Sequence, residues 1–270
     1  MGKRVESPSS LNTFLQCQRK YYYQYIENLP TKESIHTIRG TIAHAVLEKF
    51  YSLDVLSFSP EDYARQFSTA VQEIFLQEWE ARAEELFALQ VPSEELQRYF
   101  EDTLFMLLNW CTHFTQEFSR MFTGNILETF QRMKPVTEVE YVSEELSVHG
   151  FIDALHRKGD EVQLIDYKTN TTPEIKESMR LQLGIYALLY REKHGKAPQH
   201  VGIFFLRDRL YLFPVEEELL EYARKVLLMV HAHTSVTEDK EGYEKTVGPL
   251  CKWKTGQCDF YETCKPFEKL

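Results

Sequence analysis

The chain has 270 residues, 43% of them hydrophobic, which is enough apolar side chain to bury one substantial core. Its formal net charge of −10 excludes a surface coated in positive charge but leaves room for a local basic groove. No apolar run approaches the ~18 residues needed to cross a bilayer.

The opening stretch "MGKRVESPSSLNTF" has no apolar signal core. Five irregularly spaced cysteines do not form a disulfide framework. Together these predict a reducing, cytoplasmic location. Residues 9–28, "SSLNTFLQCQRKYYYQYIEN", read as a helix started by Ser9 or Ser10. A second helix is predicted from Thr41 to Tyr51, after Gly40. Residues 60–122 read as two or three long amphipathic helices, opened by Ser59-Pro60-Glu61 and broken at Pro92-Ser93. The pattern changes at Pro135, where "VTEVEYV", "LSVHGFIDALHR", "EVQLIDYK" and "HVGIFFLR" read as strands. Helices are predicted over 174–193 and 216–233. The order suits a single α/β domain with a helical insertion over 54–132 and a cysteine-rich tail over 247–270. There is no G-x-x-x-x-G-K-[ST] stretch, and so no sign of an ATPase motor.

Within "FIDALHRKGDEVQLIDYK", Gly159-Asp160 is a favoured two-residue hairpin turn. Strand partners lie symmetrically about that turn, which sets Asp153 opposite Asp166 with Cβ atoms ~4.5–5.5 Å apart. Lys168 shares the face of Asp166 because side chains alternate along a strand. Two opposed, partly buried carboxylates repel unless a proton or a cation sits between them. Mg²⁺ and Mn²⁺ take such oxygen ligands, and a nearby lysine can act on a water or on a phosphate. The plainer reading is a surface ion pair between Lys168 and one of the two acids. His44 is either a ligand or the partner of Glu48 one helical turn on. Cys17, Cys251, Cys258 and Cys264 supply the four thiolates that zinc or an iron–sulfur cluster needs. Cys111, in the apolar run "LLNWCTHF", reads as a buried free thiol. "QRKYYYQY" mixes Arg19 and Lys20 with Tyr22 and its neighbours, which suits phosphates and stacked bases of single-stranded nucleic acid or core packing in equal measure.

Four pieces in order, "RGTIAHAVLEKF", "GFID", "IDYKT" and "QLGIY", make the chain resemble the RecB-like branch of the PD-(D/E)XK nucleases. The resemblance implies a restriction-endonuclease-like core, a mixed central sheet flanked by helices. It implies that His44, Asp153 and Asp166 bind Mg²⁺ or Mn²⁺ and that Lys168 assists hydrolysis. Gln182 and Tyr186 would contact phosphate or position Lys168. A strand glutamate joins such sites; Glu140 is the choice, with Glu138 on the same face as the alternative. The four cysteines are similar to a subset of the branch, the AddB nuclease and the CRISPR-associated spacer-acquisition nuclease, which carry a 4Fe-4S cluster; zinc is the alternative. The six residues between Cys251 and Cys258, where two are usual, make Cys251 the least regular ligand. The activity implied is a Mg/Mn-dependent deoxyribonuclease, an exonuclease acting on single-stranded DNA or DNA ends in repair or CRISPR adaptation, with a helicase or integrase partner. The rival reading is a non-catalytic DNA-end-binding subunit of a helicase–nuclease or adaptation complex.

Overall fold

The computed structural model describes residues 4–254 and 256–267. Helix α1 (Pro8–Gln16) starts at a reciprocal capping box between Ser7 and Ser10, with Pro8 in its first turn. The helix predicted over 9–28 is not continuous. Cys17 is extended (φ −164°, ψ 111°), and the chain restarts as α2 (Gln18–Tyr21), which runs into a π-helical turn over Tyr22–Ile26. Helix α3 (Ile35–Phe50) begins earlier than predicted, because Ser34 caps it by accepting from the Thr37 amide, and Gly40 is carried inside it.

Four helices follow: α4 (Tyr63–Ala81), α5 (Ala83–Ala88), α6 (Ser93–Met121) and α7 (Ile126–Met133). Strands β1 (Val136–Ser143), β2 (Val148–Lys158) and β3 (Glu161–Lys168) form an antiparallel meander. Helix α8 (Glu177–His194) crosses to β4 (His200–Phe205), which lies parallel to β3, and β5 (Leu210–Pro214) closes the sheet antiparallel to β4. Helix α9 (Glu217–Thr234) packs on α8, where Gly184 permits the contact: a Cβ there would lie 2.8 Å from that of Ala223. A two-strand ribbon of β6 (Lys252–Trp253) and β7 (Gly256–Gln257) precedes a last turn of helix, α10 (Tyr261–Cys264).

The sheet order β1-β2-β3-β4-β5 is mixed, and helices cover both faces, as the restriction-endonuclease-like expectation requires. One face packs Leu155, Leu164, Val201 and Ile203 against α1, α8 and α9. The other packs Ala154, Ile165, Tyr167 and Phe204 into a core shared with α3, α4 and α6. Aromatic rings bind those helices together, with Phe50 and Phe114 4.8 Å apart and Phe67 and Phe114 5.2 Å apart. The segment between α3 and β1 thus buries part of the sheet itself. No helix among the described residues is long and apolar enough to cross a membrane.

Candidate active site

The hairpin register is the one that a Gly159-Asp160 turn dictates: Ala154 faces Ile165, Leu155 faces Leu164 and Lys158 faces Glu161. Gly159 takes φ 64°, the left-handed conformation such a turn requires. The register brings Asp153 and Asp166 to the same level of the sheet. Asp153 is clamped from behind: its Oδ2 accepts the Tyr167 backbone amide at 2.6 Å. From the inner side of α3, His44 reaches in to place Nδ1 3.4 Å from Asp153 Oδ1.

The third member is Glu138, not Glu140. Ligand atoms of His44, Glu138 and Asp153 all lie within 4.8 Å of one another. Glu140 lies on the exposed side of β1, with an oxygen 3.9 Å from His149 Nδ1. Parity could not separate the two, because alternation assigns both to one face of a strand-like sequence. Pairing separates them: Glu140 is opposite Phe151, so Glu138 is the one level with Asp153. Glu138 also has φ 49°, an uncommon conformation for a non-glycine residue in a strand. Backbone of this kind is held only where its surroundings over-determine it, and it clusters at functional sites.

Asp166 stands beside this group. Its Oδ1 accepts from Gln182 Nε2 at 2.8 Å, and Lys168 Nζ lies 2.8 Å from Oδ2 at an angle that leaves that oxygen without an aligned hydrogen bond. Gln182 is the hub of the arrangement. Its Oε1 accepts from Lys168 Nζ at 3.0 Å, and its Nε2 also donates to the Tyr186 hydroxyl at 2.7 Å. One amide thereby uses both donors and its acceptor to fix an acid, a base and a phenol. Tyr186 can approach because Gly150 presents no side chain; a Cβ there would sit 3.0 Å from the Tyr186 ring.

The electrostatics are those of crowded acids in a dry site. Burial pushes the Asp166 carboxyl up to about 6, opposed by Lys168 and reinforced by Asp153. Glu138 is raised by burial and then by the charge of Asp153. Burial works against protonated His44, yet Asp153 and Asp166 leave its pKa raised. Lys168 behaves likewise: burial opposes its charge, and Asp166 more than restores it. Such a site attracts positive charge. An imidazole nitrogen and two carboxylates within a few ångströms fit a divalent cation.

The four cysteines converge on a cavity that none of the acidic-site residues lines. Cys17, Cys251, Cys258 and Cys264 line one cavity of about 30 Å³ with Lys20, Tyr23 and Phe260. The extended break at Cys17 turns that residue out of its helix. The long spacing of Cys251 and Cys258 is taken up by the β6–β7 ribbon, which folds back so that the Cys258 amide donates to the Cys251 carbonyl at 3.0 Å. Burial raises the thiols of Cys258 and Cys264. Cys111 lies apart, buried in the helical core, its thiol pushed up to about 11 by burial.

The basic–aromatic run is turned inward. Arg19 is buried and donates through Nε to the Tyr243 carbonyl at 2.9 Å, and Tyr22 packs on the Tyr243 ring at 5.0 Å. Lys20 is half-buried beside the cysteine cavity. Arg19 and Tyr22 thus pack against Tyr243 and Glu244, more than 200 residues further along the chain, with Tyr22 still partly exposed. The sequence carried no local sign of that distant partner.

A mixed sheet of this order, with a histidine, two strand carboxylates and an acid–lysine pair gathered beside one another, defines a restriction-endonuclease-like protein with a site suited to a divalent metal. The model of the PD-(D/E)XK nuclease superfamily matches residues 6–265, and the chain belongs to that superfamily of metal-using nucleases. Its backbone is similar to the crystal structure of a candidate exonuclease from Eubacterium rectale, with a TM-score of 0.50 at 11% identity over 99% of this chain and 89% of the other. That likeness is one of fold. No curated protein matches the chain in sequence.

Proposed function

We propose that the chain is a Mg²⁺- or Mn²⁺-dependent deoxyribonuclease that digests DNA from single-stranded or free ends. What carries the reading is the group of His44, Glu138 and Asp153 set beside the Asp166–Lys168–Gln182 network. A divalent ion held by those three, with Asp166 adjoining, would supply a Lewis acid and a more acidic bound water. The chain's own residues do the rest. Lys168, kept charged by Asp166 and aimed by Gln182, stabilises negative charge developing on the phosphate. Gln182 gives the lysine a second acceptor beside Asp166, and Tyr186 secures the glutamine. The exonuclease mode takes support from the name given to the structural neighbour.

The test is digestion of end-labelled single-stranded DNA with Mn²⁺. Lys168→Ala should slow cleavage by ~10²–10³, the loss typical of one removed transition-state donor, while Mn²⁺ binding by calorimetry is retained. Cleavage at the parental rate would exclude the role of Lys168. End binding without any digestion by the parental protein would favour a non-catalytic end-binding subunit.

For the four cysteines we propose a 4Fe-4S cluster with a structural role, zinc being the alternative at the same thiolates. Their convergence on one cavity supports a shared metal group. Protein purified without oxygen should absorb near ~400 nm and contain iron, whereas a colourless protein holding zinc would decide for the alternative. The segment 54–132 is read as an insertion into a single nuclease domain. Operation alongside a helicase or integrase, in a reducing cytoplasm, completes the proposal.

A further inference from the structure

Side chains alternate along β3, so Asp166 and Lys168 share one face and Tyr167, between them, takes the other. Asp166 and Lys168 both meet Gln182 of α8. Tyr167 instead enters the core that the sheet shares with α3, α4 and α6. Its ring packs edge-on to the His44 imidazole of α3, with centroids 6.3 Å apart and planes at 82°. Both values fall in the range that aromatic pairs prefer.

The two rings differ in how firmly they are held. Tyr167 is buried and braced on two further sides. Phe204, its partner in register on β4, lies 6.3 Å away, and Trp110 of α6 lies 6.5 Å away at 87°. Trp110 packs in turn on Phe50 of α3 at 4.9 Å. The Tyr167 hydroxyl interacts with Tyr51 and Trp110, which leaves the ring as the part that meets His44. His44 has less support of its own. Its side chain is 31% exposed, and among the described residues its ion-pair partner is Asp153, 3.4 Å away. A side chain that open samples other rotamers unless packing holds it. The Asp153 contact is electrostatic and responds to any cation bound beside it, whereas the ring contact with Tyr167 needs no charge on either partner.

We propose that Tyr167 is a positioning residue of the metal centre: its ring holds the His44 imidazole in the orientation in which it faces Glu138 and Asp153. The inference rests on the reading of those three residues as metal ligands. One stretch of three residues then serves the site from both faces of the sheet, with Asp166 and Lys168 on one and Tyr167 on the other. Helix α6, which lies in the segment read as an insertion, bears on the metal group through Trp110 and Tyr167. Supports of this kind, one step removed from the ion, orient ligating histidines and tune affinity.

The test is calorimetric titration of the full-length protein with Mn²⁺, without nucleic acid, alongside thermal melting. Tyr167→Leu should weaken Mn²⁺ binding about tenfold, the lower end of what losing such a support costs. Tyr167→Phe keeps the ring and loses the hydroxyl contacts, so it should melt lower yet bind Mn²⁺ within about twofold of the parent. Phe204→Leu loosens the same core away from the imidazole; it should also melt lower and keep Mn²⁺ affinity within about twofold. In a His44→Ala background, Tyr167→Leu should change affinity by less than about twofold, because the ring then has nothing to hold. If Tyr167→Leu folds poorly, Tyr167→Met fills the space with a flexible chain and no ring, and gives the same comparison. A full loss that persists in the His44→Ala background would mean that the ring acts through Asp153 or the strand, and would overturn the role. An equal loss in Phe204→Leu would overturn it too, by assigning the effect to general loosening. Parental affinity in Tyr167→Leu, with Mn²⁺ bound by the parent, would overturn this inference and leave the metal centre standing. A parent that binds no Mn²⁺ would overturn both.

Discussion

At the scale of single residues, the centre turns on which atoms are left free for a cation. Asp166 is already engaged through both oxygens, by Gln182 and by Lys168. Asp153 gives one oxygen to the Tyr167 amide and turns the other to His44. Glu138 makes no ion pair among the described residues, so it is the acid most available to a metal. Glu138→Gln should therefore weaken Mn²⁺ binding by about tenfold or more, the penalty of replacing a charged ligand by a neutral one, whereas Glu140→Gln should leave it within about twofold. Calorimetric titration of both variants decides the matter, and equal losses would return Glu140 to the centre. Both glutamates lie on the same face of a strand-like sequence, so alternation proposed them equally. Only the pairing with β2 sets one beside Asp153.

At the scale of elements, the β2–β3 hairpin is the part most legible from sequence. A two-residue turn and period-two alternation determine register locally, without help from the rest of the chain. What the hairpin packs against was not legible. His156, near the turn end of β2, reads from sequence as an ordinary strand residue. In the structure α6 and α7 close over it, and burial, then Lys158, push its imidazole down to about 4. The folded value lies below the ordinary 6.5, so between those values the unfolded chain binds more protons. Stability from this residue is intact above pH 6.5 and declines as pH falls towards 4, by up to about 3 kcal/mol for such a shift. Urea midpoints at pH 7.5 and 4.5 should differ less for His156→Gln than for the parent. An unchanged difference would mean that the ring is hydrated.

Across the whole molecule, the two chain ends are joined. Arg19 holds the Tyr243 carbonyl, its own amide donates to Glu244 at 3.0 Å, and Cys17 shares a cavity with the three C-terminal cysteines. Closing so long a loop costs chain entropy that grows only slowly with length, and metal–thiolate bonds can offset it. Cys258→Ser should consequently lower the melting temperature, remove bound iron or zinc, and reduce nuclease activity only indirectly. Cys111→Ala should cost no more than the small packing loss of a buried thiol, with metal content unchanged. Equal melting temperatures and equal metal content in the Cys258→Ser protein and its parent would refute a cluster at that cavity.

By itself the sequence determined the strands, the hairpin register, the level pairing of Asp153 with Asp166, and the order of pieces that marks the superfamily. Each of these depends on neighbours within a few residues, or on a motif carried whole in one segment. Tertiary structure alone decided that Glu138 supplies the nearby carboxylate, that Cys17 breaks its helix and meets the C-terminal ribbon, and that Arg19 donates to the Tyr243 carbonyl. These outcomes depend on contacts between segments far apart in the chain, and a local pattern records which face a side chain takes but not what lies opposite it.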